Sequence, residues 1–244
     1  MNARLSVITP TLNAAWRLEA CLQSVAACSR SLAPRVALEH IIVDGGSEDA
    51  TRTIIDAYRQ SDDPSPTRVL VEPGPGVAAA INRGIEAAAG EFIVLLDADD
   101  VLMADGLLAA LDRMTQDAGI TVAYSDAPVI DEDGAVRERI TARPWRRRRL
   151  MRRNILLRPA VVVRRSAFAG RPLDEQLRSH YDYDLWLRLM AVDARFARVP
   201  KPIGAKRQHR GNRLFRTMDR RSWRASADEM LAVVRRHRDE PSVR

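Results

Sequence analysis

The feature that most constrains this chain is the run Phe92-Ile93-Val94-Leu95-Leu96-Asp97-Ala98-Asp99-Asp100. Five apolar residues in succession, preceded by Gly90 and closed by acids, have the pattern of a strand buried on both faces. Three carboxylates packed at a strand end repel one another and raise each other's pKa unless a cation neutralises them. Open α/β sheets bind ligands at the carboxyl ends of their strands. A hard divalent cation at that edge, holding a phosphate-bearing ligand, accounts for both the position and the charge. An isolated Asp-x-Asp serves equally well to start a helix, since Asp is a good N-cap. Its place directly after a core strand is what favours a site.

The preceding residues repeat the same design. Leu5-Ser6-Val7-Ile8 reads as a first strand closed by Thr9-Pro10-Thr11, and Leu18, Cys21, Leu22, Val25 and Cys28 then recur at helical spacing. Val36 to Val43 reads as a second strand ending at Asp44-Gly45-Gly46-Ser47, with Ser47 the expected N-cap of a helix to about residue 60. Arg68-Val69-Leu70-Val71 is a third strand ending at Glu72-Pro73-Gly74, and Val77, Ile81, Ile85 and Ala88 mark the next helix. Strands alternating with helices over short connections predict a doubly wound, mostly parallel sheet. Three of the four strands carry an acid at the ligand edge: Asp44, Glu72, and Asp97 with Asp99. Taken alone, Asp44 to Ser47 is a turn and a helix cap; three acid-tipped parallel strands together point to one ligand edge.

Beyond the fourth strand the pattern changes. A helix is expected over Met103 to Thr115, a strand over Ile120 to Ser125, and a hairpin around Asp131-Glu132-Asp133-Gly134. Ala160 to Val163 reads as a strand, Asp182 to Ala191 as a helix with a buried stripe of Leu185, Leu189 and Val192, and Ile203 to Arg207 as a last strand. Charge divides the chain in the same way. Residues 1–140 hold 11 basic and 22 acidic side chains, whereas residues 141–244 hold 28 basic and 10 acidic ones. The second half therefore faces something anionic, whether phosphates of a ligand, lipid headgroups or nucleic acid. Its densest stretch, residues 143–158, carries eight arginines and no acid.

The two cysteines, Cys21 and Cys28, lie on one helical face and read as core packing. The N-terminus lacks the apolar segment of a signal peptide, and no run of about 18 apolar residues occurs. The expected location is cytoplasmic, with peripheral association at the inner face of the membrane through the arginine-rich stretch. A nucleic-acid-binding protein is a rival reading of the basic half. It lacks interleaved aromatics, a reading helix and zinc or RNP-like motifs, so no nucleic-acid partner is expected. A dinucleotide-binding enzyme is a second rival, but no Gly-x-Gly-x-x-Gly follows the first strand.

The order of motifs resembles glycosyltransferase family 2. The resemblance rests on Ser6 to Asn13, Ile42 to Asp49, Asn82-Arg83-Gly84-Ile85 with Gly90-Glu91, and Leu96 to Asp100, and extends from residue 4 to about 210. It implies an α/β GT-A fold, with a doubly wound, mostly parallel sheet and a smaller antiparallel acceptor-side portion. One domain over 1–215 is expected, with a nucleotide-sugar half (1–100) and an acceptor half (101–215), followed by a charged helical tail (216–244). The implied activity is inverting transfer of a sugar from a nucleotide-sugar donor, UDP-linked by default, to a glycan or lipid-linked acceptor, with Mn²⁺ or Mg²⁺. A catalytically inactive nucleotide-sugar-binding module would carry the same motifs. Carried over by position, Pro10, Thr11, Asp44, Glu72, Asp97 and Arg207 belong to the nucleotide-sugar site. Asp99, Asp97 and His209 belong to the metal, with Asp99 the direct ligand. Asp182, in Tyr181-Asp182-Tyr183-Asp184-Leu185-Trp186-Leu187-Arg188, belongs to the segment of the catalytic base. Many members have a second Asp where Gly45 stands, Tyr where Leu12 stands and Arg where Ile81 stands.

Overall fold

A computed structural model describes residues 3–61, 66–74, 76–142, 144–170, 172–208 and 220–238. Strand β1 (Ala3–Thr11) lies at the centre of the main sheet. It is flanked on one side by β2 (Val36–Asp44) and β3 (Thr67–Val71) and on the other by β4 (Phe92–Leu95), all parallel. Alternate side chains of these strands enter two cores, as period-two geometry requires. Leu5, Val7, Phe92 and Val94 pack under α1 (Ala15–Leu32) and α4 (Ala104–Gln116). Ile8, Ile93 and Leu95 pack under α3 (Val77–Ala87) and α6 (Tyr181–Ala191). Burial on both faces is why these strands read as unbroken apolar runs. A Cβ on Gly84 would lie 2.4 Å from the Ile8 side chain, so the bare backbone there lets α3 rest directly on β1.

Register brings the expected ligand edge together. Thr11 pairs with Asp44, Asp44 with Val71, and Ile8 with Leu95, with the ladder continued by Leu96 N–H donating to Ile8 O at 2.9 Å. The C-terminal tips of the first four strands therefore share one rim.

The remainder of the sheet departs from simple winding. β9 (Val161–Arg164) inserts antiparallel between β4 and β6 (Ile120–Tyr124), and β10 (Arg195–Arg198) closes the edge parallel to β6. An apolar run carries no strand direction, so this reversal was not readable. Its consequence is functional: the start of β9, rather than its end, meets the rim. A second sheet of order β5-β11-β7-β8 combines β5 (Val101–Leu102), β11 (Gly204–Arg207), β7 (Ala127–Ile130) and β8 (Val136–Ile140). It was expected to be antiparallel. It is mixed, because β11 pairs parallel with β7 while β7–β8 is the expected hairpin.

Two local expectations are corrected. Ser47 does not cap a helix; α2 starts at Thr51 (Thr51–Arg59), and the Ser47 hydroxyl donates to Asp44 instead. Val192 is not on the buried stripe of α6 but is 51% exposed just past its end, while Leu185 and Leu189 are buried. The arginine-rich stretch forms a short helix, α5 (Arg147–Leu150), whose Leu150 is buried and whose neighbours Trp145 and Met151 pack on the core. The tail holds α7 (Arg220–Arg238), which packs against α6 and buries Val233 and His237. Among the described residues, no helix is long and apolar enough to cross a membrane.

Candidate active site

The acids that end β4 form a compact cluster. One carboxylate oxygen from each of Asp97, Asp99 and Asp100 lies within 4.8 Å of the others. Two cations reach them. Lys206 Nζ stands 3.1 Å from Asp97 Oδ2, 3.0 Å from Asp100 Oδ2 and 3.9 Å from Asp99 Oδ1. Arg158 donates from Nη2 to Asp97 Oδ2 at 2.7 Å. Burial raises the Asp97 pKa, but Arg158 and Lys206 outweigh it and hold the carboxyl below its ordinary value. Asp100 is fully buried and is pushed up to about 7 by burial and by its two acidic neighbours, against the pull of Lys206. Asp99 is the most exposed of the three, with 23% of its side chain accessible. The donor set is all oxygen and suits a hard divalent cation. Thr11 Oγ1 and Arg158 Nη1 are buried without a hydrogen-bond partner beside it, as expected of a polar site shaped for a ligand.

A cavity of about 400 Å³ opens over this cluster. Its walls include Pro10, Thr11 and Leu12 from the end of β1, Asp97 and Asp99, and also Arg158, Tyr181 and Lys206. Pro10, Thr11, Asp97 and Asp99 thus come together as the sequence expected. Leu12 is 60% exposed on the rim. Asp44 stands beside Thr11 in register but is turned inward. Its two oxygens accept from Ser47 N–H and Oγ and from Arg52 Nε at 2.9 Å, which together hold its pKa down against burial. Glu72 lies on the next strand tip, its backbone bonded to Asp44 O and its carboxylate 3.8 Å from Arg83 Nε. Neither Asp44 nor Glu72 lines the cavity. Arg207 braces the cluster from behind: its N–H donates to Asp100 Oδ1 and its guanidinium to the carbonyls of Asp99, Asp131 and Glu132. His209 lies outside the described residues. Asn82, in the Asn-x-Gly motif, ties the two halves by exchanging hydrogen bonds with the Leu173 backbone.

Asp182 and Asp184 have separate fates on α6. Asp184 is buried and engaged by Arg188 Nε at 2.8 Å and His237 Nε2 at 2.8 Å. Asp182, in the first turn, has an oxygen 3.9 Å from Arg158 Nε and 3.4 Å from Asn154 Nδ2. Burial raises its pKa, offset in part by Arg158 and by the Tyr183 N–H. Arg158 thus stands between Asp97 and Asp182, its guanidinium 5.1 Å above the Tyr181 ring.

Arg158 and Lys206 were missed by the sequence reading. Arg158 was one of eight in a basic run and carried no separate signal. Lys206 did carry one: it is one of only two lysines among 39 basic residues. A compact ammonium fits among three carboxylates where a planar guanidinium does not.

Residues 6–175 match the model of glycosyl transferase family 2, which is well over half of the chain. The chain belongs to glycosyl transferase family 2. Its sequence is 25% identical over 163 residues to an uncharacterized glycosyltransferase of Methanocaldococcus jannaschii, covering 64% of this chain and 55% of that one. This family 2 chain spans about half the length of the first curated relatives it matches. Its fold is that of GT-A enzymes. TarS of S. aureus, in complex with UDP-GlcNAc, matches with TM-score 0.74 and 17% identity over 98% of this chain and 67% of that one. The mannosyltransferase PcManGT of Pyrobaculum calidifontis, in complex with GDP-Man and Mn²⁺, matches with TM-score 0.69 and 17% identity over 100% and 68%.

Proposed function

We propose that this protein transfers a sugar, with inversion, from a nucleotide-sugar donor to a hydroxyl of a glycan or lipid-linked glycan. One observation carries the reading: Arg158, which lines the cavity with Asp97 and Asp99, lies between that acid cluster and the separate Asp182, whose carboxylate stands behind it 3.9 Å from its Nε. Asp99 and Asp97 would hold Mn²⁺ or Mg²⁺, which stabilises the negative charge of a departing diphosphate. Pro10 and Thr11 receive the nucleotide, and the exposed Leu12 offers its base an apolar contact in place of an aromatic stack. Lys206 and Arg158 add fixed positive charge where the diphosphate leaves. Asp182 accepts the proton of the acceptor hydroxyl as that oxygen bonds to the anomeric carbon. The bond to the diphosphate breaks in the same displacement, and its electron pair departs with the phosphate oxygen. A single displacement inverts the centre and needs no carboxylate nucleophile.

The experiment is a melting-temperature screen against UDP-, GDP- and dTDP-sugars, with and without Mn²⁺. A ligand that binds only the folded chain raises the melting temperature. One nucleotide class should raise it in a Mn²⁺-dependent manner, with UDP first in order. No shift with any donor would remove the reading.

The basic half supports an anionic acceptor or membrane surface. Arg146, Arg148, Arg152 and Arg153 are exposed, whereas Leu150 is buried and Trp145 and Met151 pack inward. Contact with lipid would therefore be by charge, at about 1 kcal/mol per basic residue, rather than by insertion of these apolar side chains. Flotation with phosphatidylserine vesicles at low salt should show binding that is lost at high salt, as screening predicts. Equal flotation with neutral vesicles would contradict a charge-driven contact.

A further inference from the structure

We propose that Glu229, on α7, is a positioning residue for Asp182. This rests on the reading of Asp182 as the base, and it concerns a part of the chain beyond the family match at 6–175. α6 begins after His180 without a side-chain cap of its own. The residues leading into it are anchored from α7 instead. Glu229 Oε1 accepts from Ser179 N–H at 2.9 Å and from His180 N–H at 2.9 Å, and Glu229 Oε2 accepts from Arg178 N–H at 3.2 Å. Three consecutive amides are thus gathered on one carboxylate immediately before the turn that carries Asp182. Charge-assisted bonds of this kind are stronger than neutral ones. Two further ties hold the same pair of helices. His180 Nε2 lies 3.0 Å from Ser226 O, and His237 Nε2 lies 2.8 Å from Asp184 Oδ1.

The consequence follows from geometry. Asp182 stands two residues after His180, so the direction of its carboxylate depends on where the 178–180 backbone is pinned. On the donor side, Pro10, Thr11, Asp97 and Asp99 stand at the ends of β1 and β4, away from α7, and Tyr181, in the first turn of α6, is the cavity residue nearest the pinned segment. A misplacement of 1 Å at a reacting group costs about 10²-fold. Removal of Glu229 should therefore slow transfer by more than it weakens donor binding. α7 itself stays docked through Val233 and His237.

The test uses the full chain in four forms: wild type, Glu229→Ala, Asp182→Asn and the double variant. Hydrogen exchange on Glu229→Ala should show at least about tenfold loss of protection across 178–184 and none across 92–100. Affinity for UDP with Mn²⁺ should change far less than kcat. Transfer from the donor selected by the melting screen should fall by about 10- to 100-fold in kcat with a much smaller change in donor KM. Glu229→Gln should recover part of the loss, because its carbonyl oxygen keeps the bonds to Ser179 and His180. The double variant should be no slower than Asp182→Asn alone, since residues acting through one group are non-additive. Unchanged exchange in 178–184, a parallel loss of UDP affinity, or additive losses in the double variant would each overturn the proposal. Full transfer by Asp182→Asn would instead overturn the assignment of the base.

Discussion

Asp182→Asn is expected to lower sugar transfer by about 10²–10⁴-fold, the usual contribution of a general base, with UDP and Mn²⁺ affinity unchanged. The substitution keeps the side-chain shape and its acceptor for the Tyr183 N–H, so the fold should be unaffected. It removes the ability to take a proton, together with the negative charge 3.9 Å from Arg158 Nε. The neighbouring acid is not an alternative, because Asp184 is buried and committed to Arg188 and His237. The pH profile provides a second reading. Burial pushes the Asp182 pKa above its ordinary value, so transfer should rise with pH over a range above that of a free aspartate. Steady-state rates beside calorimetric binding would decide it. If Asp184→Asn abolishes transfer in a folded protein and Asp182→Asn does not, the base has been assigned to the wrong carboxylate.

Asp99→Ala is expected to abolish the metal-dependent part of nucleotide binding. Asp97 and Asp100 are held by Lys206 at 3.1 and 3.0 Å, and Asp97 also by Arg158, whereas Asp99 stands farther off at 3.9 Å and is the most exposed. It is thus the carboxylate best placed to reach a cation shared with a diphosphate. Titration of UDP with Mn²⁺ should give the variant the weak affinity that the wild type has without metal. Its melting temperature in the absence of ligand should stay near wild type, since no core contact is lost. Unaltered UDP affinity in the presence of Mn²⁺ would show that the cluster does not hold the ion.

The ligand edge was legible because its signals are local. A strand buried on both faces must be apolar at every position, and one that ends at a site must change to polar residues there. Phe92 to Asp100 satisfies both within nine residues, and the register of β1, β2 and β4 then brings Thr11, Asp44 and Asp97 to one rim.

What the sequence by itself determined was the alternation of strands and helices, the acid-tipped edge and the family that those motifs resemble. Only the tertiary structure decided which cations meet those acids and what holds the base. Arg158 reaches Asp97 across 61 residues, Lys206 across 109, and Glu229 reaches His180 across 49. An arginine among eight gives no sign of which carboxylate it will find, because a charged side chain pairs with any opposite charge that folding brings near. The antiparallel entry of β9 delivers Arg158 to the rim, the pairing of β11 with β5 and β7 delivers Lys206, and the docking of α7 delivers Glu229. Each depends on long-range packing of apolar faces that carry no direction or partner in their own residues.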